Sequence, residues 1–156
     1  MAKLIYIAGP LFSQAERDFL IRMTDELSRA TGLDPVADFF LPHRDAGDVG
    51  VAGTRVDIFS KDLMMLDEAS IVVALLDGPD VDGGTAIEIG YAFAKRKKVF
   101  GLLTDFRAYS KKGEKPSKIN NMVWGVCEKG QAIFRSLDEV AEAVKQHLAM
   151  DKRGKL

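Results

Sequence analysis

Short apolar runs alternate along the chain with stretches whose apolar residues recur every three or four positions. "KLIYIAG" (3–9) is a continuous apolar run closed by Gly9-Pro10, and "SIVVALLDG" (70–78) and "KVFGLLTD" (98–105) repeat the pattern. Runs of this length, bounded by turn residues, read as strands buried on both faces. From about Ser13 to Ala30, Phe19, Leu20, Met23 and Leu27 fall at helical spacing, and Gly32 supplies the stop. "LDPVADFF" is a weaker strand candidate, because Pro35 limits its ladder hydrogen bonds. Residues 41–53 are polar and glycine-rich and are expected to form a loop. A second helix is expected from about Thr54 to Asp67, and a third lies between the two strong apolar runs. "RAYSKKGEKPSK" (107–118) reads as a charged loop, "QAIFRS" as a short last strand. "LDEVAEAVKQHLAM" reads as an amphipathic helix begun near Ser136, with Asp138 and Glu139 in its first turn.

Continuous apolar strands separated by helices imply a mostly parallel sheet covered on both faces. The expectation is an α/β fold: one three-layer domain over residues 1–150, Rossmann-like or flavodoxin-like, with five strands. Residues 151–156, "DKRGKL", form a charged C-terminal tail. Ligands of such sheets bind beyond the carboxyl ends of the strands. Three polar or glycine-rich segments leave strands at that edge: "AGPLFS", "DGPDVDGGT" and "TDFRAYS".

Composition narrows the classes. The chain has 156 residues, 47% of them hydrophobic and 29% charged, as in ordinary globular domains. Its formal charge of −1 argues against a nucleic-acid polymer as partner. The best basic cluster, "KRKK" (95–98), sits where a helix should end, and cations there complement the helix dipole. One cysteine, Cys127, excludes an internal disulfide and fits a reducing compartment. No apolar run is long enough to span a bilayer, and the N-terminus enters a strand directly. A cytoplasmic location without membrane contact is expected.

Three carboxylates stand where carboxylates are disfavoured. With Ile58 at zero and about 100° per residue, Met65, Leu66, Phe59 and Leu63 share one arc of the second helix, and Asp62 falls inside it. Such an aspartate is paired, caps a neighbouring element or borders a cleft. In the third helix, Glu88 is the only charged residue between Asp82 and Lys95. Position 92 is alanine, so no local ion pair accounts for Glu88, and Gly84 nearby would allow a ligand close approach. A satisfied structural glutamate is the alternative. Asp82 opens the same helix, and an N-cap alone would explain it. Together the three suit chemistry in which positive charge develops on the substrate, such as glycosyl transfer.

Other constellations are weak. His43 and His147 offer no metal-ligand spacing, so no metal and no organic cofactor is expected. No GxxxxGK[ST] loop, GxGxxG fingerprint or serine nucleophile elbow occurs.

"IYIAGPLF", "DGGTAIEIGYA" and "INNMVWGV" resemble the three signature segments of the nucleoside 2-deoxyribosyltransferases, over residues 4 to about 126. The resemblance implies exchange of the base of a 2′-deoxynucleoside through a covalent deoxyribosyl-enzyme, with free nucleobases as second substrates. It implies Glu88 as nucleophile, Tyr6 orienting it, and Asp62 and Asp82 contacting the base and protonating the departing nitrogen. Gly9, Phe12 and Gly84 would border the substrate. Asn120 and Met122 match a segment that reaches into a neighbouring subunit's site, which implies a homo-oligomer built from dimers, commonly a hexamer.

Two alternatives stay open. Hydrolases of deoxynucleoside 5′-monophosphates resemble this chain too and carry a serine- and arginine-bearing phosphate site after the first strand. Here Ser13 and Arg17 occupy that segment, with apolar Leu11 and Phe12 at its mouth, which favours a neutral nucleoside. A non-catalytic nucleoside-binding module is the other alternative, since fold does not fix function. Base preference between purines and pyrimidines is not legible, and Arg44 and Arg107 are expected to face solvent.

Overall fold

The computed structural model describes residues 4–46, 55–109, 116 and 118–154. Five strands, β1 (Ile5–Ala8), β2 (Phe39–Phe40), β3 (Ile71–Leu75), β4 (Lys98–Leu102) and β5 (Ile133–Phe134), form one sheet in the order β2-β1-β3-β4-β5. Every pairing is parallel. This is the flavodoxin-like order, and its reversal of winding lies between β1 and β3. The crevice beyond the carboxyl ends of those two strands is therefore where a ligand is expected.

β1 and β3 are buried along their whole length, as their unbroken apolar sequences require. On one face of the sheet, helix α1 (Gln14–Thr31) packs against α6 (Leu137–Gly154). Ser13 caps α1 in a full capping box with Glu16, and Gly32 ends the helix in the left-handed conformation (φ 74°). α3 (Arg55–Glu68), α4 (Gly83–Ala94) and α5 (Asn121–Val126) neighbour one another in turn. α4 also meets β1, β3 and β4, so it is the central element of that layer.

Several boundaries differ from the sequence pattern. The segment after β2 holds a short helix, α2 (Pro42–Asp45), where a loop is expected, because Pro42 takes the first helical position and Ala46 closes one turn onto it. Residues 47–53 of that expected loop lie outside the described residues, as does the expected start of α3 at Thr54. The weak strand candidate before it contributes only Phe39–Phe40. Asp34 accepts from the amides of Val36 and Ala37, which makes a turn of the rest. α5 was not expected at all; Asn120 starts it by accepting from the Met122 amide at 2.8 Å. Phe106–Ala108 form one 3₁₀ turn that leads into the charged loop, of which residues 110–115 and 117 lie outside the described residues. α6 continues past residue 150 to Gly154. No described helix is long and apolar enough to cross a membrane.

Candidate active site

Tyr6 lies in the middle of β1 with no solvent exposure, its ring 5.2 Å from that of Phe40 on β2. Its hydroxyl donates to Glu88 Oε1 at 2.6 Å. Glu88 comes from the second turn of α4, the helix that follows β3 in the chain. Asp82 starts that helix: its Oδ2 accepts from the Thr85 amide at 3.0 Å and from the Thr85 hydroxyl at 3.3 Å. The N-cap role read from sequence is thus present, and the same carboxylate lies near enough to raise the Glu88 pKa.

Asp62 approaches from α3. On that helix the buried residues are Met65 and Leu66, and Asp62 falls between them in the helical projection. Its Oδ1 is buried and accepts no hydrogen bond among the described residues. Phe59, expected in the apolar arc, is 64% exposed and stands instead at the rim of a cavity. That cavity, about 450 Å³, lies between α3 and α4 and is lined by Asp62, Glu88, Gly84, Tyr91 and the apolar side chains of Phe59, Leu63, Leu66 and Ile87.

Burial sets the electrostatics. It pushes the Glu88 carboxyl up to about 8; the Tyr6 hydrogen bond pulls it down, and the charges of Asp62 and Asp82 push it up. Burial also pushes Asp62 up to about 6, against a smaller opposing effect of Lys61. Tyr6 is raised above its ordinary value by burial and then by the two carboxylates, so it stays a donor. Two acids held apart in proton affinity in one cavity are the arrangement from which nucleophile and acid roles are made.

The other sequence-derived candidates lie around this centre or away from it. Gly84 lines the cavity, and a Cβ there would stand 3.1 Å from Asp82 Oδ2. Gly9 is buried, and a Cβ there would stand 2.7 Å from Leu20 and 3.2 Å from Leu75, so packing of α1 onto the sheet accounts for its glycine. Phe12 is 73% exposed at the start of the loop into α1. Asn120 and Met122 are on the opposite flank of α4, in a separate apolar groove of about 470 Å³ with Ala86, Ile89 and Gly90. Within one chain they do not share the cavity of Glu88. Trp124 packs over Gly130, whose lack of a Cβ leaves room for the indole. Arg44 is exposed, as expected, and its guanidinium also donates to the carbonyls of Pro35 and Phe39 and pairs with Asp45. Arg107 pairs with Asp105 on the surface. Among the described residues, no cluster of metal-ligating side chains occurs.

Sequence reasoning missed Tyr91 and the rim residues Phe59 and Ile87. Tyr91 stands three positions after Glu88 and Ile87 three after Gly84, the spacing that puts side chains on one helical face. That spacing was the available signal.

A family model described as Nucleoside 2-deoxyribosyltransferase matches residues 5–145. The chain belongs to the nucleoside 2-deoxyribosyltransferase family. It is 31% identical over 141 residues to an uncharacterized protein of Ureaplasma parvum, covering 80% of this chain and 85% of that one. An uncharacterized protein of Schizosaccharomyces pombe is 30% identical over 131 residues, 78% of this chain but only 58% of the yeast protein. A crystal structure of a conserved protein from Enterococcus faecalis superposes with a TM-score of 0.78 at 28% identity, covering 94% of this chain and 99% of the other. The match across β1, α3 and α4 takes in Tyr6, Asp62, Asp82 and Glu88.

Proposed function

We propose that this member of the deoxyribosyltransferase family moves a 2-deoxyribosyl group from the base of one 2′-deoxynucleoside to another base, with Glu88 as the nucleophile. The observation that carries the reading is the 2.6 Å hydrogen bond from Tyr6 to Glu88, which lines one cavity with Asp62, whose buried Oδ1 has no partner among the described residues. Tyr6 fixes one carboxylate oxygen and leaves the other to attack. An ionised Glu88 oxygen bonds to C1′ as the C1′–N bond breaks, and the electron pair leaves with the base nitrogen. Protonated Asp62, aided by Asp82, supplies the proton that the departing base needs. A second base then attacks C1′ through its own nitrogen, the glutamyl ester bond breaks, and Asp62 recovers a proton. Two inversions give net retention. Apolar walls suit the flat faces of a base and exclude water that would otherwise hydrolyse the ester.

Hydrolysis of a deoxynucleoside 5′-monophosphate is the competing reading, and it would need Ser13 and Arg17 free to hold phosphate. The Ser13 hydroxyl accepts from the Glu16 amide, and Arg17 donates to the carbonyls of Leu11 at 2.9 Å and Phe12 at 3.1 Å. Both are committed to building the loop, which supports a neutral nucleoside. Asn120 and Met122, remote from Glu88 in their own chain, are assigned to the sugar site of a neighbouring subunit in a homo-oligomer.

The test is chromatographic. The protein is incubated with deoxyinosine, with and without excess adenine, beside the Glu88→Ala variant. Deoxyadenosine formed only when Glu88 is present supports transfer. Hypoxanthine and free deoxyribose without deoxyadenosine would favour a hydrolase, and saturable nucleoside binding with no base release would favour a binding module.

A further inference from the structure

α3 carries Asp62, is tied to α2 where Lys61 donates to the Asp45 carbonyl, and is held to α4 at its C-terminal end. Its buried residues, Met65 and Leu66, lie in its last turns, while Val56, Phe59 and Met64 are exposed. At the C-terminal end, Tyr91 of α4 donates its hydroxyl to Asp67 Oδ1 at 2.8 Å. Lys95, at the C-terminus of α4, pairs with the same oxygen at 3.0 Å and lies 5.1 Å from the centre of the Tyr91 ring. Lys97 donates to the carbonyl of Asp67 at 2.7 Å and to that of Ala69. The basic run that closes α4 thus serves the free carbonyls of a different helix. Asp67 stands five residues beyond Asp62, about 7.5 Å along the axis at 1.5 Å per residue. Any movement of α3 against α4 changes the gap between Asp62 and Glu88, and Tyr91 itself lines the cavity.

We propose that Tyr91 and Asp67 are positioning residues: their hydrogen bond clasps α3 to α4 and so sets the separation of Asp62 from Glu88 and the dryness of the cavity between them. The kinetic consequence rests on the deoxyribosyl-transfer reading. The electrostatic consequence does not, because burial is the main cause of the raised acidities of both groups. The groups facing Glu88 are Tyr6 from β1, Asp62 from α3 and Asp82 from the start of α4; Lys61 is the charge beside Asp62. A loosened α3 admits water and separates the two acids, and both changes lower their pKa values.

Tyr91→Phe keeps the ring and deletes only the clasping bond. Asp67→Ala removes the acceptor from the other side, and Asp67→Asn keeps an acceptor oxygen for Tyr91 while losing an exposed ion pair of little weight. Carboxyl titrations followed by carbon NMR on the intact protein are read beside turnover of deoxyinosine with adenine. In Tyr91→Phe and Asp67→Ala, the Glu88 and Asp62 midpoints fall by about one unit from about 8 and about 6. Saturating turnover falls about tenfold with little change in KM, and Asp67→Asn stays near the parent in both. Unmoved midpoints in both Tyr91→Phe and Asp67→Ala, with near-ultraviolet circular dichroism intact, would overturn the clasp. So would an Asp67→Asn protein as impaired as Asp67→Ala. If the parent protein turns over no donor, the transfer reading fails, and the titrations alone still decide the clasp.

Discussion

Tyr6 and Glu88, 82 positions apart in sequence, are joined by a 2.6 Å hydrogen bond between strand β1 and the helix that follows β3. The phenol donates to a carboxylate whose pKa burial pushes up to about 8, and that hydrogen bond favours its charged form. Removing that hydroxyl leaves the ring packing on Phe40 and deletes the one interaction with Tyr6 that favours the charged glutamate. Tyr6→Phe is expected to raise the Glu88 pKa above about 8 and to slow base release about 10- to 100-fold at pH 7. Steady-state rates across pH check this: the maximum falls and the alkaline limb, set mainly by the higher of the two proton affinities, moves to higher pH, and an unmoved alkaline limb would remove Tyr6 from the account.

The pH dependence of the parent protein follows from the Asp62–Glu88 pair. Reaction requires one proton on the pair, absent from Glu88 and present on Asp62, which is the minor of the two singly protonated forms because Glu88 has the higher affinity. The proton affinities, about 6 and about 8, predict a bell-shaped kcat/KM with limbs near those values; the limbs belong to the pair, not to either residue. Asp62→Asn retains only the need for an ionised Glu88. Its rate is expected to be lower throughout and to lack the alkaline limb. An Asp62→Asn profile that still falls above pH 8 would place the acid elsewhere.

Stability carries the same signature. Glu88 has a higher pKa folded than the ordinary carboxylate value of 4.5. The folded state therefore holds its proton over a window where the unfolded chain has lost it. This contribution is complete below about pH 4.5 and is lost as pH rises through about 8. Glu88→Gln is neutral in both states, so it is expected to be more stable than the parent at pH 8 by about 2 kcal/mol, after allowing for partial solvent access. Denaturant midpoints at pH 5 and pH 8 measure the difference; equal gains at both values would contradict the linkage.

Asn120 and Met122 face away from Glu88, and Met122 is 77% exposed. If they complete a neighbour's site, two inactive proteins can restore each other. Asn120→Ser keeps an N-cap for α5. Combined with Met122→Ala it is expected to fold with a loss of about 1 kcal/mol or less and to turn over at least tenfold more slowly. Mixing it with inactive Glu88→Ala, after subunit exchange, should regain a fraction of parental activity. A mixture no more active than the sum of its parts would return these residues to a role within their own chain.

The sequence was most informative where one physical demand governed each position. β1, β3 and β4 need apolar residues on both faces, and Gly32 must adopt a left-handed backbone, so strands and helix stop were legible. Glu88 and Asp62 stood out because a carboxylate among apolar residues is costly. Where two demands compete, the pattern misled. Phe59 scores as core but rims an open cavity, and Asn120 looks like a ligand-binding residue while also capping α5. β2 and β5, two residues each, carry too few positions for a period. Tyr91, Asp67, Lys95 and Lys97 meet only through the packing of α3 on α4, a relationship absent from any local window.

The central claim is that Glu88 forms a bond to the sugar. Intact-mass and peptide measurements on protein quenched in acid during the first turnover with deoxyinosine, before any acceptor base is added, test it most directly. The account predicts one deoxyribosyl group on the peptide that contains Glu88, discharged when adenine is supplied and missing from Glu88→Ala. Hypoxanthine released through the first turnover with Glu88 unmodified at every time point would contradict it.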